Sequence, residues 1–101
     1  MTLNDLLRVA GLWGEIVLTR AVAMEAATFR QRLIEAVCRF DEFTADNDPY
    51  GEHDFGKITL DGSDHFFKIN YYDKDKQYGS EDASNPAITC RVMTIMKAED
   101  Y

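Results

Sequence analysis

The tetrapeptide Asp61-Gly62-Ser63-Asp64 stands between two β-rich runs, Asp54 to Leu60 and His65 to Asp73. Asp-Gly tolerates the positive φ angles of a tight hairpin turn, so the two runs are predicted to pair antiparallel. On the second run Phe67, Ile69 and Tyr71 alternate with Phe66, Lys68, Asn70 and Tyr72, which gives one apolar face and one that mixes aromatic and polar groups. An apolar sheet face has to be covered. From Met24 onward Ala26, Phe29, Leu33, Val37 and Phe40 recur at three- and four-residue intervals without Gly or Pro. That spacing predicts a long helix over residues 24–43, with Arg30, Gln31, Glu35 and Arg39 facing water.

The remaining segments complete the layout. Residues 2–10 read as a short helix capped by Thr2 or Asn4, with Leu3, Leu6, Leu7 and Ala10 as its inward stripe and Gly11 as its end. Glu15 to Arg20 is a β-branched run short enough for a buried strand, with Trp13 covering an edge of the core. Residues 74–87 are polar and aperiodic, and so the most mobile segment. Ile88 to Lys97 reads as a strand, with Ile88, Cys90, Val92 and Met96 set against Thr89, Arg91 and Lys97, although Asn85-Pro86 would also suit a helix start. The expectation is one α+β domain over residues 1–101, ordered α-β-α-β-β-β, with a mainly antiparallel sheet and helices on one face. A chain of 101 residues has room for a single core.

One loop carries most of the net negative charge. Between Phe40 and Gly56 lie Asp41, Glu42, Asp46, Asp48, Glu52 and Asp54 with one histidine, His53, and no Lys or Arg. The Asn47-Asp48-Pro49-Tyr50-Gly51 core favours turns, so the loop is expected to be fixed and to present an acidic face. A net charge of −7 argues against direct binding of nucleic-acid phosphates and favours a basic surface on another protein. Cys38 and Cys90 are far apart and read as buried free thiols. No basic segment followed by an apolar run opens the chain, and no stretch approaches a membrane span, so a cytoplasmic location is expected.

Asp46 to Gly56 (Asp-Asn-Asp-Pro-Tyr-Gly-Glu-His-Asp-Phe-Gly), Lys68 to Asp73 (Lys-Ile-Asn-Tyr-Tyr-Asp), Gly79 to Asp82 and Arg91 to Met96 closely resemble an uncharacterised family of small bacterial proteins, domain of unknown function 3768. Leu3-Asn4-Asp5 and Leu18-Thr19-Arg20 extend the resemblance over nearly the whole chain. The resemblance implies carriage on plasmids and other mobile elements but no activity, cofactor or catalytic residue. The chain departs from the family pattern at Ala21, where glycine is usual, at Asn70, where aspartate is usual, and at Lys97, where an apolar residue is usual.

Candidate chemistries differ in how well the spacing serves them. Asp46, Asp48, Gly51 and Asp54 begin like an EF-hand loop, but Lys57 stands where the bidentate Glu belongs. His53 with Glu52, Asp54 and His65 would suit a metal or acid-base site, except that strand alternation turns His53 away from its two neighbours. Ser63, Ser80 and Ser84 lack a nucleophile elbow, and no phosphate-cradling glycine loop is present. The resulting expectation is a non-enzymatic binding module without cofactor or metal. It engages a basic partner, such as a nucleic-acid-binding effector, through Asp46, Asp48, Tyr50, Glu52, His53, Asp54 and Tyr72; the mobile-element carriage that the resemblance implies makes an anti-CRISPR type inhibitor of a bacterial defence system its concrete version. Tyr at such a face supplies area at low entropic cost. The alternatives are a metal-dependent hydrolase or nuclease at His53 and Asp54, and a self-associating subunit of a plasmid maintenance complex.

Overall fold

The Asp61-Gly62 turn closes the expected hairpin. Both residues take positive φ, 52° and 79°, and β2 (Phe55–Leu60) pairs antiparallel with β3 (Ser63–Tyr72) from Leu60↔Ser63 outward. The computed structural model describes residues 2–101. Preceding the hairpin are α1 (Leu3–Ala10), β1 (Glu15–Leu18), α2 (Arg20–Ala23) and α3 (Ala27–Arg39); β4 (Cys90–Lys97) and a 3-10 turn (Ala98–Asp100) follow it. The four strands lie in the order β1-β4-β3-β2. Two of the three pairings are antiparallel, and β1 runs parallel to β4. The α+β architecture and the mainly antiparallel sheet agree with the sequence.

All three helices cover one face. Leu7 from α1, Val22 from α2 and Leu33 and Val37 from α3 meet Ile58, Phe67, Ile69, Met93 and Ile95 from the sheet. Each such side chain contributes about 1.5–3 kcal/mol by leaving water. Gly56 makes the centre possible, because a Cβ there would stand 2.3 Å from a Phe67 ring carbon and 2.8 Å from Phe40. On the opposite face Tyr101 packs edge to face on Phe55 and Phe66, which are tilted against each other, with the Lys68 ammonium 5.4 Å from the Tyr101 ring.

Several local expectations are corrected. In α1 the cap is Thr2, one of the two expected candidates, in a capping box with Asp5, and Gly11 ends the helix as expected, in a left-handed conformation, but the buried residues are Asn4, Leu7 and Arg8 rather than a Leu/Ala stripe. The long helix starts at Ala27, leaving Met24 74% exposed. It stops at Arg39 because Phe40 turns extended while Arg8 binds the last carbonyls. β1 is an edge strand whose Ile16 and Val17 remain exposed, and Trp13, also exposed, covers no core. In β4 the inward face carries Arg91, Met93 and Ile95, the reverse of the expected register. β4 is internal to the sheet, so Val92 and Met96 on its other face are buried too and the alternation is masked. Cys38 and Cys90 are free and half-buried.

Candidate functional site

After α3 the chain turns back across the N-terminal helix in a loop held largely by its own polar groups. Thr44 N donates to Asn47 Oδ1 at 2.8 Å, Asn47 Nδ2 to the Glu42 carbonyl at 2.9 Å, and Asp48 N to the Thr44 carbonyl at 2.8 Å. Gly51 and His53 both take left-handed backbone angles, φ 65° and 55°. Gly51 does so without steric cost, whereas His53 is held by its contacts.

Those contacts form a buried charged hub. His53 Nδ1 lies 2.9 Å from Asp5 Oδ1, and its Nε2 lies 3.5 Å from Asp48 Oδ2. Asp48 Oδ1 also accepts from the His53 backbone N–H at 3.1 Å. One imidazole is thus flanked by a carboxylate at each ring nitrogen. The ring stacks on Phe43 at 4.0 Å and 3°, and the Arg8 guanidinium lies 5.2 Å from the same Phe43 ring. Arg8 bonds Asp5 at 3.0 Å and the Phe40 carbonyl at 2.6 Å, tying α1 to the end of α3. Burial alone would push the Asp5 carboxyl up, but hydrogen bonds from His53, Thr2 and Arg8 outweigh it and bring the pKa down to about 2.

The hub divides the site residues named from sequence. Asp46, Tyr50 and Glu52 are exposed, Tyr50 by 87%. Asp48, with its side chain 6% exposed, and His53 turn inward, while Asp54 is half-buried. Strand alternation sends Tyr72 to the face away from the helices, where it pairs in register with Cys90. Tyr71 instead reaches the loop, its hydroxyl 3.4 Å from Glu52 Oε2. Asp41 and Glu42 join the exposed acids.

His65, grouped with His53 in the metal reading, packs 5.5 Å from the Phe29 ring, with Nδ1 3.3 Å from the Ser63 carbonyl. Asp46, Asp48 and Asp54 do not converge either. Among the described residues no group of three or more His, Cys, Asp or Glu side chains is placed to hold a metal ion. No helix among them is long and apolar enough to cross a membrane.

Sequence reasoning missed Asn4, Asp5, Arg8 and Arg91. Asn4 Nδ2 donates to the Glu52 carbonyl at 2.8 Å and to the Tyr71 hydroxyl at 2.7 Å, and its Oδ1 accepts from Arg91 Nε at 2.8 Å. The available signal was Asn4 and Arg8 falling one turn apart on the Leu7 side of α1, a polar pair on an otherwise inward face. Burial, with the carboxylates of Asp54 and Glu52, raises the Tyr71 pKa against the bond from Asn4.

Residues 18–100 match a family described as protein of unknown function, DUF3768. No curated protein and no solved structure matches the chain. Helix α1, which supplies Asn4, Asp5 and Arg8, precedes the matched span.

Proposed function

The chain belongs to the DUF3768 family, whose description assigns no function, and from its surface we propose that it is a non-enzymatic module that lays its acidic loop on a basic site of a partner protein. One observation carries this reading. The loop is anchored from inside by Asp48, His53 and Phe43, while Asp41, Glu42, Asp46, Tyr50 and Glu52 face water with no Lys or Arg between them. An ordered acidic surface loses little entropy on docking, so more of its contact energy appears as affinity. Carboxylates beside Tyr suit Arg-rich surfaces, through bidentate ion pairs and cation-π contacts. In its concrete form the partner is a nucleic-acid-binding effector in the bacterial cytoplasm. The module then acts as a mobile-element-encoded inhibitor of a defence system, of the anti-CRISPR type.

The test uses Asp41→Lys, Glu42→Lys and Asp46→Lys together. Asp48 is left alone because it belongs to the hub. In affinity capture from a bacterial host, the wild-type chain should retain basic nucleic-acid-binding proteins and the triple variant should not, at an unchanged unfolding midpoint. Equal capture by both refutes the reading. A metal-dependent hydrolase at His53 and Asp54 has less support, because both His53 ring nitrogens already face carboxylates. Calorimetric titration with zinc, manganese and calcium separates the two, with stoichiometric uptake favouring the hydrolase.

A further inference from the structure

We propose that the pocket between the start of α1 and the end of β3 binds a small organic carboxylate with an apolar body, gripped by Arg91. Arg91 is 5% exposed and appears in no salt bridge among the described residues. Its Nε donates to Asn4 Oδ1 at 2.8 Å, its Nη2 donates to the Ala83 carbonyl, and its Nη1 meets no hydrogen-bond partner among the described residues. The guanidinium carbon lies 5.1 Å from the Tyr71 ring centre. All of these partners are neutral. An arginine this deep in a protein is ordinarily paired with an anion, because desolvating it costs several kcal/mol. Burial accordingly pushes the Arg91 guanidinium down from its usual pKa.

Arg91 lines a pocket of about 400 Å³ together with Leu3, Asn4, Glu52, Tyr71 and Ala83. Helix α1 begins at the same place. Its first amides have no acceptor within the helix, so they add positive potential at the mouth. The Ala83 carbonyl belongs to the connection between β3 and β4, which has no helix or strand. If it yields, Nη1 and Nη2 form the fork that takes a carboxylate in two parallel bonds. Leu3, Tyr71 and Ala83 offer apolar walls for the rest of the ligand. The charge around the pocket selects between anions. Glu52 is at its rim, and a single guanidinium balances one negative charge, so a dianionic phosphate is disfavoured.

The test is an NMR titration of the full chain with benzoate, with benzamide and inorganic phosphate as controls, following the Arg91 Nε–H and the Tyr71 ring signals. Benzoate should give saturable shifts at both, and neither control should do so. Arg91→Gln should weaken benzoate at least about tenfold. Ala83→Phe, which fills the mouth and keeps the arginine, should do the same and carries the test if Arg91→Gln does not fold. Absence of saturation with benzoate overturns the proposal. So does equal binding of benzamide or phosphate, or benzoate binding unaltered by Ala83→Phe.

Discussion

Arg8, on helix α1, and Arg91, which bonds to that helix through Asn4, are buried to the same extent, each 5% exposed, yet their surroundings are opposite in kind. Arg8 has the Asp5 carboxylate at 3.0 Å and three carbonyls at the end of α3, where the helix dipole presents negative potential. Arg91 has one side-chain amide, one carbonyl and one aromatic ring. The first cation is neutralised within the fold and serves to join α1, α3 and the acidic loop. The second is solvated by dipoles alone, leaving its charge for something from outside. Burial by itself therefore does not separate a structural arginine from a binding one. The sign and number of the charges around it do.

The sharpest way to break this comparison is Arg8→Met. It removes the cation from a buried pair and leaves the carbonyls of Val37, Cys38 and Phe40 without it. A loss of about 3 kcal/mol in urea unfolding is expected. The acidic loop should loosen at the same time, visible as faster amide exchange at His53, whose ring shares Asp5 and Phe43 with Arg8.

Asp5→Asn tests the other half of the hub and should act more weakly. The Asp5 carboxyl is depressed from 3.8 to about 2 and its side chain is 13% exposed. A depression of that size is worth about 2 kcal/mol. Because the folded pKa lies below the unfolded one, the stabilisation is complete above about pH 4 and is lost as pH falls towards 2. The gap in unfolding free energy between wild type and Asp5→Asn should be flat at neutral pH and close across that acid window. A gap constant down to pH 2 would mean that Asp5 is not the anion that balances Arg8.

What the sequence disclosed follows from the range of the forces involved. The Asp61-Gly62 turn and the Gly11 cap depend on neighbours within a few residues, and each was legible, as was Thr2 as one of two candidate caps. So was the acidic loop, since six carboxylates without a counter-ion need no structure to be noticed. β4 misled because a central strand buries both faces and loses its alternation. β1 misled because Ile16 and Val17 carry the composition of a buried strand at an open edge. Beyond the inward Asn4 and Arg8, the pairings that make the hub and the pocket were not legible: His53 meets Asp5 across 48 residues, and Arg91 meets Asn4 across 87. No local pattern marks such pairings.

The smallest expected effect is also the one that decides the comparison. Arg91→Met keeps much of the side-chain length while removing the charge, and it strands no carboxylate, because Arg91 has none among the described residues. It does leave Asn4 Oδ1 and the Ala83 carbonyl without their donor, a cost of about 1–3 kcal/mol each. Against that stands relief from holding a desolvated guanidinium, which replacement by a well-packed apolar side chain commonly recovers. The two nearly offset, so Arg91→Met should unfold within about 1 kcal/mol of wild type. A loss as large as that of Arg8→Met would place Arg91 among the structural residues. Near-wild-type stability means that the fold carries a buried cation it does not need.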